Sequence, residues 1–165
     1  MRPIAYVTGD ATQPPSDGST RIVAHVVNDL GRWGAGFSGA VSRLSSKPEQ
    51  AYRKIFESLP KPALGRVQFV RLAPDLLIAN MIAQRGLRSA SNPVPLRYDA
   101  LATCLDRVME ISVELGASVH MSRIGAGLAG GDWDQIEKLI ERRLCAHGVP
   151  VTVYNFVKEE RANAS

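Results

Sequence analysis

Cysteine and aromatic side chains are both scarce in this chain of 165 residues: there are two cysteines, and only 6% of the residues are aromatic. Two cysteines cannot build a disulfide framework. Cys104 and Cys145 have neither CxxC spacing nor a histidine cluster beside them, so they offer no metal-ligand pattern. Both fall in predicted helices and read as buried free thiols. No apolar run approaches the roughly 20 residues that a membrane-spanning helix needs, and Met1-Arg2-Pro3-Ile4 leads straight into a strand pattern. The expectation is therefore a cytoplasmic protein without membrane contact. The shortage of aromatics also argues against a single-strand nucleic-acid groove, where stacking side chains alternate with basic ones.

What is present is ordinary for a globular domain: 45% apolar and 22% charged residues. A chain of this size buries roughly two thirds of its unfolded surface, enough for one core without disulfides or metal. The net charge of +4 suits an anionic ligand or acidic partner surface. The basic residues are scattered, with a mild concentration at Arg85, Arg88 and Arg97.

Glycine is placed with purpose. Gly31-Arg32-Trp33-Gly34-Ala35-Gly36 follows the apolar run Ile22–Val27, and Gly125-Ala126-Gly127-Leu128-Ala129-Gly130-Gly131 follows Val119–Ile124. Each turn leads into a helix pattern. Glycine lets main-chain N–H groups face a ligand, and a helix start adds a positive end, so each turn suits a phosphate. Two such turns in one domain suggest a diphosphate.

Strand patterns are read at Ile4–Thr8, Arg21–Val27, Val67–Leu72, Leu76–Ala83, Ser118–Ile124 and Pro150–Phe156. Helices are expected at Ala35–Ser46, Pro48–Leu59, Tyr98–Leu115 and Asp134–His147, the last opened by an Asp134/Glu137 capping box. Gln84–Leu96 is a long connection, read either as a functional loop or as a mobile surface crossing. Alternating strands and helices predict a mostly parallel sheet covered on both faces, whose ligands sit at the carboxyl ends of the strands. One domain is expected over residues 1–157, with a tail at 158–165.

Gly125, Gly127 and Gly130 match the GxGxxG fingerprint of dinucleotide folds. Trp133-Asp134 delays the helix, however, and Val151–Phe156 carries no acid for a ribose, so the phosphate cradle is kept and hydride transfer is set aside. Asp10, ending the first strand beside Gly9 and Ala11, could accept from an exocyclic amine or simply close a turn.

In order, Tyr6–Thr12, His25–Phe37 and Arg123–Trp133 resemble the ligand-binding segments of macrodomains, and the similarity runs from about Ile4 to Phe156. Within that family the chain is similar to the branch of terminal ADP-ribose protein glycohydrolases, including bacterial members that remove ADP-ribose from acidic side chains. The resemblance implies a three-layer α/β/α sandwich with a mixed, mostly parallel central sheet, and ADP-ribose as ligand, with mono-ADP-ribosylated proteins or ADP-ribosylated nucleic acid as partners, and neither metal nor cofactor. It implies that Asp10 holds the adenine amine with Ala11 beside the ring, and that Tyr154 or Asn155 sits near the adenine. Gly34, Gly36 and Phe37 would line one side of the diphosphate and distal ribose, and Trp33 is read either as a cover over that ribose or as a plug of the loop against the core. Ile124, Gly125, Ala126, Gly127, Leu128 and Ala129 would line the other. A monomer that hydrolyses the acidic side-chain linkage is the expected activity, with binding without turnover, or action on nucleic-acid-linked ADP-ribose, as the alternatives.

The catalytic lysine and aspartate of that branch have no counterpart: Gln84 or Arg85 stands at the lysine position and Ala129 at that of the aspartate. A lysine-linked intermediate is therefore not expected. Asn28, Asp29 and Gln84 remain as polar residues that could aid a water, each with a bland counterpart as turn binder, helix cap or solvated side chain. His25 reads as a packed histidine on its strand rather than a base, and Asp132 as a turn or cap residue.

Overall fold

The computed structural model describes residues 2–34 and 36–156, so the expected tail at 158–165 lies outside the described residues. Six strands form one sheet: β1 (Ala5–Thr8), β2 (Arg21–Asn28), β3 (Val67–Ala73), β4 (Leu76–Gln84), β5 (Ser118–Met121) and β6 (Val151–Asn155). Their spatial order is β1-β6-β5-β2-β4-β3. All neighbours are parallel except β3, which runs antiparallel to β4. The expected mixed, mostly parallel α/β/α sandwich is the fold.

Strands β2 and β4 are the most buried. All of β2 except Val26 is buried, as is β4 from Leu77 to Ala83. Such near-continuous apolar runs are what parallel strands covered on both faces require. Side chains alternate along β2, so Ile22 and Ala24 face one layer while Val23 and Val27 face the other. The first layer is α3 (Tyr98–Leu115) and α4 (Trp133–Arg143), packed through Leu101, Leu105, Ile136 and Ile140. The second is α1 (Phe37–Leu44) and α2 (Lys47–Ile55), packed through Val41 and Tyr52. The four-residue β1 is exposed throughout and too short to invite edge pairing.

Three local expectations are corrected. Helix α2 stops at Ile55 rather than Leu59: Phe56 caps it, its amide donating to the carbonyls of Arg53 and Lys54, and Pro60 disfavours helical backbone at Leu59. The cap of α4 is Asp132, whose carboxylate accepts from the Asp134 amide, and not Asp134. Glu137 bonds to the Tyr6 hydroxyl. That helix also ends at Arg143, with Leu144 as its C-cap before a 3-10 turn at Cys145–His147.

Residues 84–96 fold into a small lobe. Leu96 bridges back to Gln84 and Asn92 to Ser89, while the Asn92 side-chain amide donates to the carbonyls of Arg85 (2.7 Å) and Leu87 (3.2 Å). Cys104 and Cys145 are free and buried, and burial raises both thiol pKa values.

Candidate ligand-binding cleft

The cleft begins where β2 and β4 stop. Pairing skips Ala83, so Val27 faces Ile82 and Asn28 faces Gln84, bringing two amide side chains together at the strand ends. Asn28 Oδ1 accepts from the amides of Leu30 (3.0 Å) and Arg32 (3.2 Å), and its Nδ2 donates to the Arg32 carbonyl (2.8 Å). The buried Tyr52 hydroxyl lies 2.8 Å from Asn28 Oδ1 and 2.6 Å from its carbonyl oxygen, and burial raises that phenol's pKa.

Asp29 receives the Gly86 amide on Oδ1 at 2.8 Å, while its own amide donates to the Gln84 carbonyl at 2.9 Å. Gln84 Nε2 donates to the Gly86 carbonyl at 3.0 Å. These three residues therefore form one bracket joining the first glycine turn to the 84–96 lobe. Because Nε2 faces a carbonyl, the Gln84 amide has a set orientation, and its Oε1 has no donor among the described residues.

Two walls rise from this base. At Gly34 (φ 122°) and Gly125 (φ 72°) the backbone adopts conformations that side chains resist, and both residues line the gap. Among the described residues, no acceptor meets the amides of Gly34 and Gly36 on one wall or of Gly125, Gly127, Leu128 and Ala129 on the other. The turns approach closely, since a Cβ added at Gly36 would stand 3.3 Å from Leu128 Cδ1. Between them lies a cleft of about 510 Å³. Its described lining includes the guanidinium-bearing Arg32, Arg88 and Arg123 and no carboxylate.

Gly34, Gly36 and Phe37 line the cleft on the first wall, and Ile124, Gly125, Gly127, Leu128 and Ala129 on the second. Asn28 and Gln84 line its base, whereas Asp29 and Ala126 do not reach it. Trp33 lies behind the first wall: its Nε1 donates to Ser42 Oγ at 2.7 Å, and its ring packs against His25 and Tyr52.

Asp10, Ala11, Tyr154 and Asn155 stand apart, at the ends of β1 and β6. Asp10 Oδ1 accepts from the amide and hydroxyl of Thr12 (2.9 and 2.7 Å), closing a turn over buried Ala11. The Tyr154 hydroxyl meets His120 Nδ1 at 2.8 Å, and His120 Nε2 meets Ser118 Oγ at 2.8 Å. Burial, with a smaller contribution from the charge of Arg21, lowers the His120 pKa to about 4.

His25 also lines the cleft base and is almost fully buried. Its Nε2 lies 2.6 Å from Asn80 Oδ1, while Asn80 Nδ2 donates to Pro48 and Gln68. Asn80 Oδ1 must then accept, so Nε2 carries the proton. Burial lowers the His25 pKa to about 4. Sequence reasoning gave no cleft role to Arg32, Arg88 or Arg123. The signals were that Arg32 sits inside one glycine turn and Arg123 two residues before the other, and that Arg88 belongs to the mild basic concentration around the long connection. Among the described residues no group of three or more histidine, cysteine, aspartate or glutamate side chains could hold a metal ion, and no helix is long and apolar enough to cross a membrane.

A macrodomain protein from Streptomyces coelicolor is 49% identical to this chain, with a TM-score of 0.81 over 92% of this chain and 98% of that one. The chain belongs to the macrodomain family. A Bacteroides thetaiotaomicron protein of unknown function shares this macrodomain's fold at TM-score 0.89 and 41% identity, covering 94% of this chain and 99% of its own. The macrodomain of Thermus aquaticus DarG aligns at TM-score 0.74 and 25% identity, over 92% and 97% of the two chains. Among curated proteins, the mouse (Mus musculus) chromodomain-helicase-DNA-binding protein 1-like is 32% identical over 95% of this macrodomain. The chain spans less than a fifth of the length of the curated relatives it matches. No family model matches it.

Proposed function

We propose that this macrodomain binds ADP-ribose across the strand ends and hydrolyses the bond joining it to nucleic acid. One observation carries the reading: uncommitted main-chain amides on two facing walls, together with three arginines and no carboxylate in the described lining. Facing amides and guanidiniums suit a diphosphate, which they can bond with little reorganisation. The adenine then lies toward Asp10 and Ala11, beside Tyr154 and Asn155, and the distal ribose toward Asn28 and Gln84. Arg32, whose backbone bonds to the Asn28 side chain, and Arg88, four residues after Gln84, both line the cleft and are assigned to that distal end, where the attached macromolecule leaves. Two cations there, on a chain of net charge +4, favour a polyanion over a protein surface. The DNA-binding name of the curated relatives points the same way.

In the proposed reaction a water attacks the distal ribose at C1. The bond from that carbon to the nucleic-acid atom breaks, and its electron pair and a proton go to the leaving base or phosphate. Gln84 Oε1, fixed by the Gly86 contact, accepts a hydrogen bond from the water, and Asn28 and Asp29 hold the bracket that aims it. No described carboxylate lines the cleft, so the ligand's own diphosphate accepts the proton that the water loses and passes it to the departing base or phosphate, which is the proton that leaves with it. A single well-aimed group contributes on the order of a hundredfold, so Gln84→Ala should slow release by about that factor.

The test is ADP-ribose titration by calorimetry, followed by release assays on an ADP-ribosylated oligonucleotide and a glutamate-linked protein. Binding and release from the oligonucleotide are expected. Binding without release from either substrate would make this a recognition module, and release from glutamate alone would overturn the nucleic-acid assignment.

A further inference from the structure

We propose that Arg123 forms a subsite for a phosphate on the 2′-hydroxyl of the ligand's adenosine ribose, so that the cleft prefers 2′-phosphorylated ADP-ribose over ADP-ribose. The inference rests on the ADP-ribose reading and adds a specificity that the glycine turns do not supply.

Arg123 is held in a defined position on the cleft wall. Its guanidinium lies over the rings of Tyr6 (5.6 Å to the centroid) and Trp133 (5.3 Å), and its Nε donates to Asn155 Oδ1 at 2.9 Å. The two rings are tied together as well, since Trp133 Nε1 donates to the Tyr6 hydroxyl at 3.3 Å. The nearby carboxylate of Glu137 is engaged by the Tyr6 hydroxyl, and among the described residues no carboxylate forms an ion pair with Arg123. With Nε committed, both Nη groups remain, four N–H donors on a plane whose orientation is already fixed. A fork of that kind matches a phosphate in a bidentate manner, and less side-chain freedom is lost on binding because stacking has removed it beforehand.

Position selects which phosphate. Arg123 stands two residues before Gly125, where the diphosphate wall begins, and it bonds to Asn155 at the end of β6, next to the Asp10 side of the sheet. What lies between a diphosphate and an adenine is the adenosine ribose. A cation beside that ribose is the device by which other nucleotide-binding folds accommodate a 2′-phosphate, whereas an acid accepts from the free hydroxyl. Here the residue is a cation.

Calorimetric titration of the intact protein with ADP-ribose and with ADP-ribose 2′-phosphate tests this. The phosphorylated ligand should bind about tenfold more tightly, as one bidentate charge-assisted contact allows. In Arg123→Ala the ratio of the two dissociation constants should fall to near one, and in Arg123→Lys it should be intermediate, since lysine keeps the charge without the planar fork. Equal or weaker binding of the phosphorylated ligand by the unmodified protein overturns this inference alone, as does an undiminished ratio in Arg123→Ala. Failure of both ligands to bind overturns the ADP-ribose reading and this one with it.

Discussion

Neighbouring glycines in the second turn do different work, and the space around each decides which. A methyl group at Gly131 would stand 2.5 Å from Leu96 Cδ2 and 2.7 Å from the Gly125 carbonyl oxygen, closer than carbon atoms approach. A methyl at Gly127 would meet nothing within 4 Å, and the backbone there has no positive φ. Gly131→Ala should therefore force backbone movement and cost roughly 1–3 kcal/mol, as overpacking of a close contact does, measurable by urea unfolding. Gly127→Ala should unfold like the parent protein while losing most of its ADP-ribose affinity, because the methyl enters the cleft where a phosphate must approach the amide. Unchanged affinity in Gly127→Ala would show that the ligand does not lie against the second wall.

At the level of elements, the bracket of Asn28, Asp29 and Gln84 joins the first glycine turn to the 84–96 lobe, and the lobe reaches the second turn through the Leu96 amide on the Ala129 carbonyl at 3.2 Å. The Asp29–Gly86 contact is thus one end of a brace that spans the cleft. Asp29→Ala removes it, and the Gly86 amide should then exchange with deuterium at least tenfold faster, about 1.4 kcal/mol of lost protection, while amides of β2 and β4 are unaffected. Acceleration spread evenly over the sheet would mean that Asp29 supports the whole fold instead. Such braces are hard to read in a sequence. Strand and helix identity was legible because apolar periodicity is local, as in β2, β4 and α3, and both phosphate turns were legible because glycine clusters after apolar runs. The partners of Asp29 and Arg123 were not, since Gly86 lies 57 residues from Asp29 and Asn155 lies 32 from Arg123. The Asp134 cap was misjudged for a different reason: Asp132 and Asp134 are both competent caps, and only the point where the backbone turns helical separates them.

For the molecule as a whole, the two buried histidines tie stability to pH. His25, bonded to Asn80, and His120, set between Ser118 and Tyr154, hold pKa values of about 4 because burial disfavours their charged forms. In the unfolded chain both titrate near the ordinary value of about 6.5. Between those limits the unfolded state carries more protons than the folded one, so stability is complete above about pH 6.5 and falls as pH drops toward 4. His25 alone accounts for on the order of 3 kcal/mol across that window, since its pKa drops from the ordinary value to about 4 on folding. Urea unfolding followed from pH 7 to 4.5 should show a steep decline, with close to two protons taken up on unfolding near pH 5 beyond what carboxylates contribute. His25→Phe leaves Asn80 Oδ1 without its donor and lowers stability at every pH, yet its slope near pH 5 should be smaller by about one proton. His120→Gln keeps a polar side chain between Ser118 and Tyr154 and should show the same reduction with a smaller overall loss. A slope unchanged in both variants would mean that neither histidine is held neutral by the fold, and the acid sensitivity would then belong to the carboxylates.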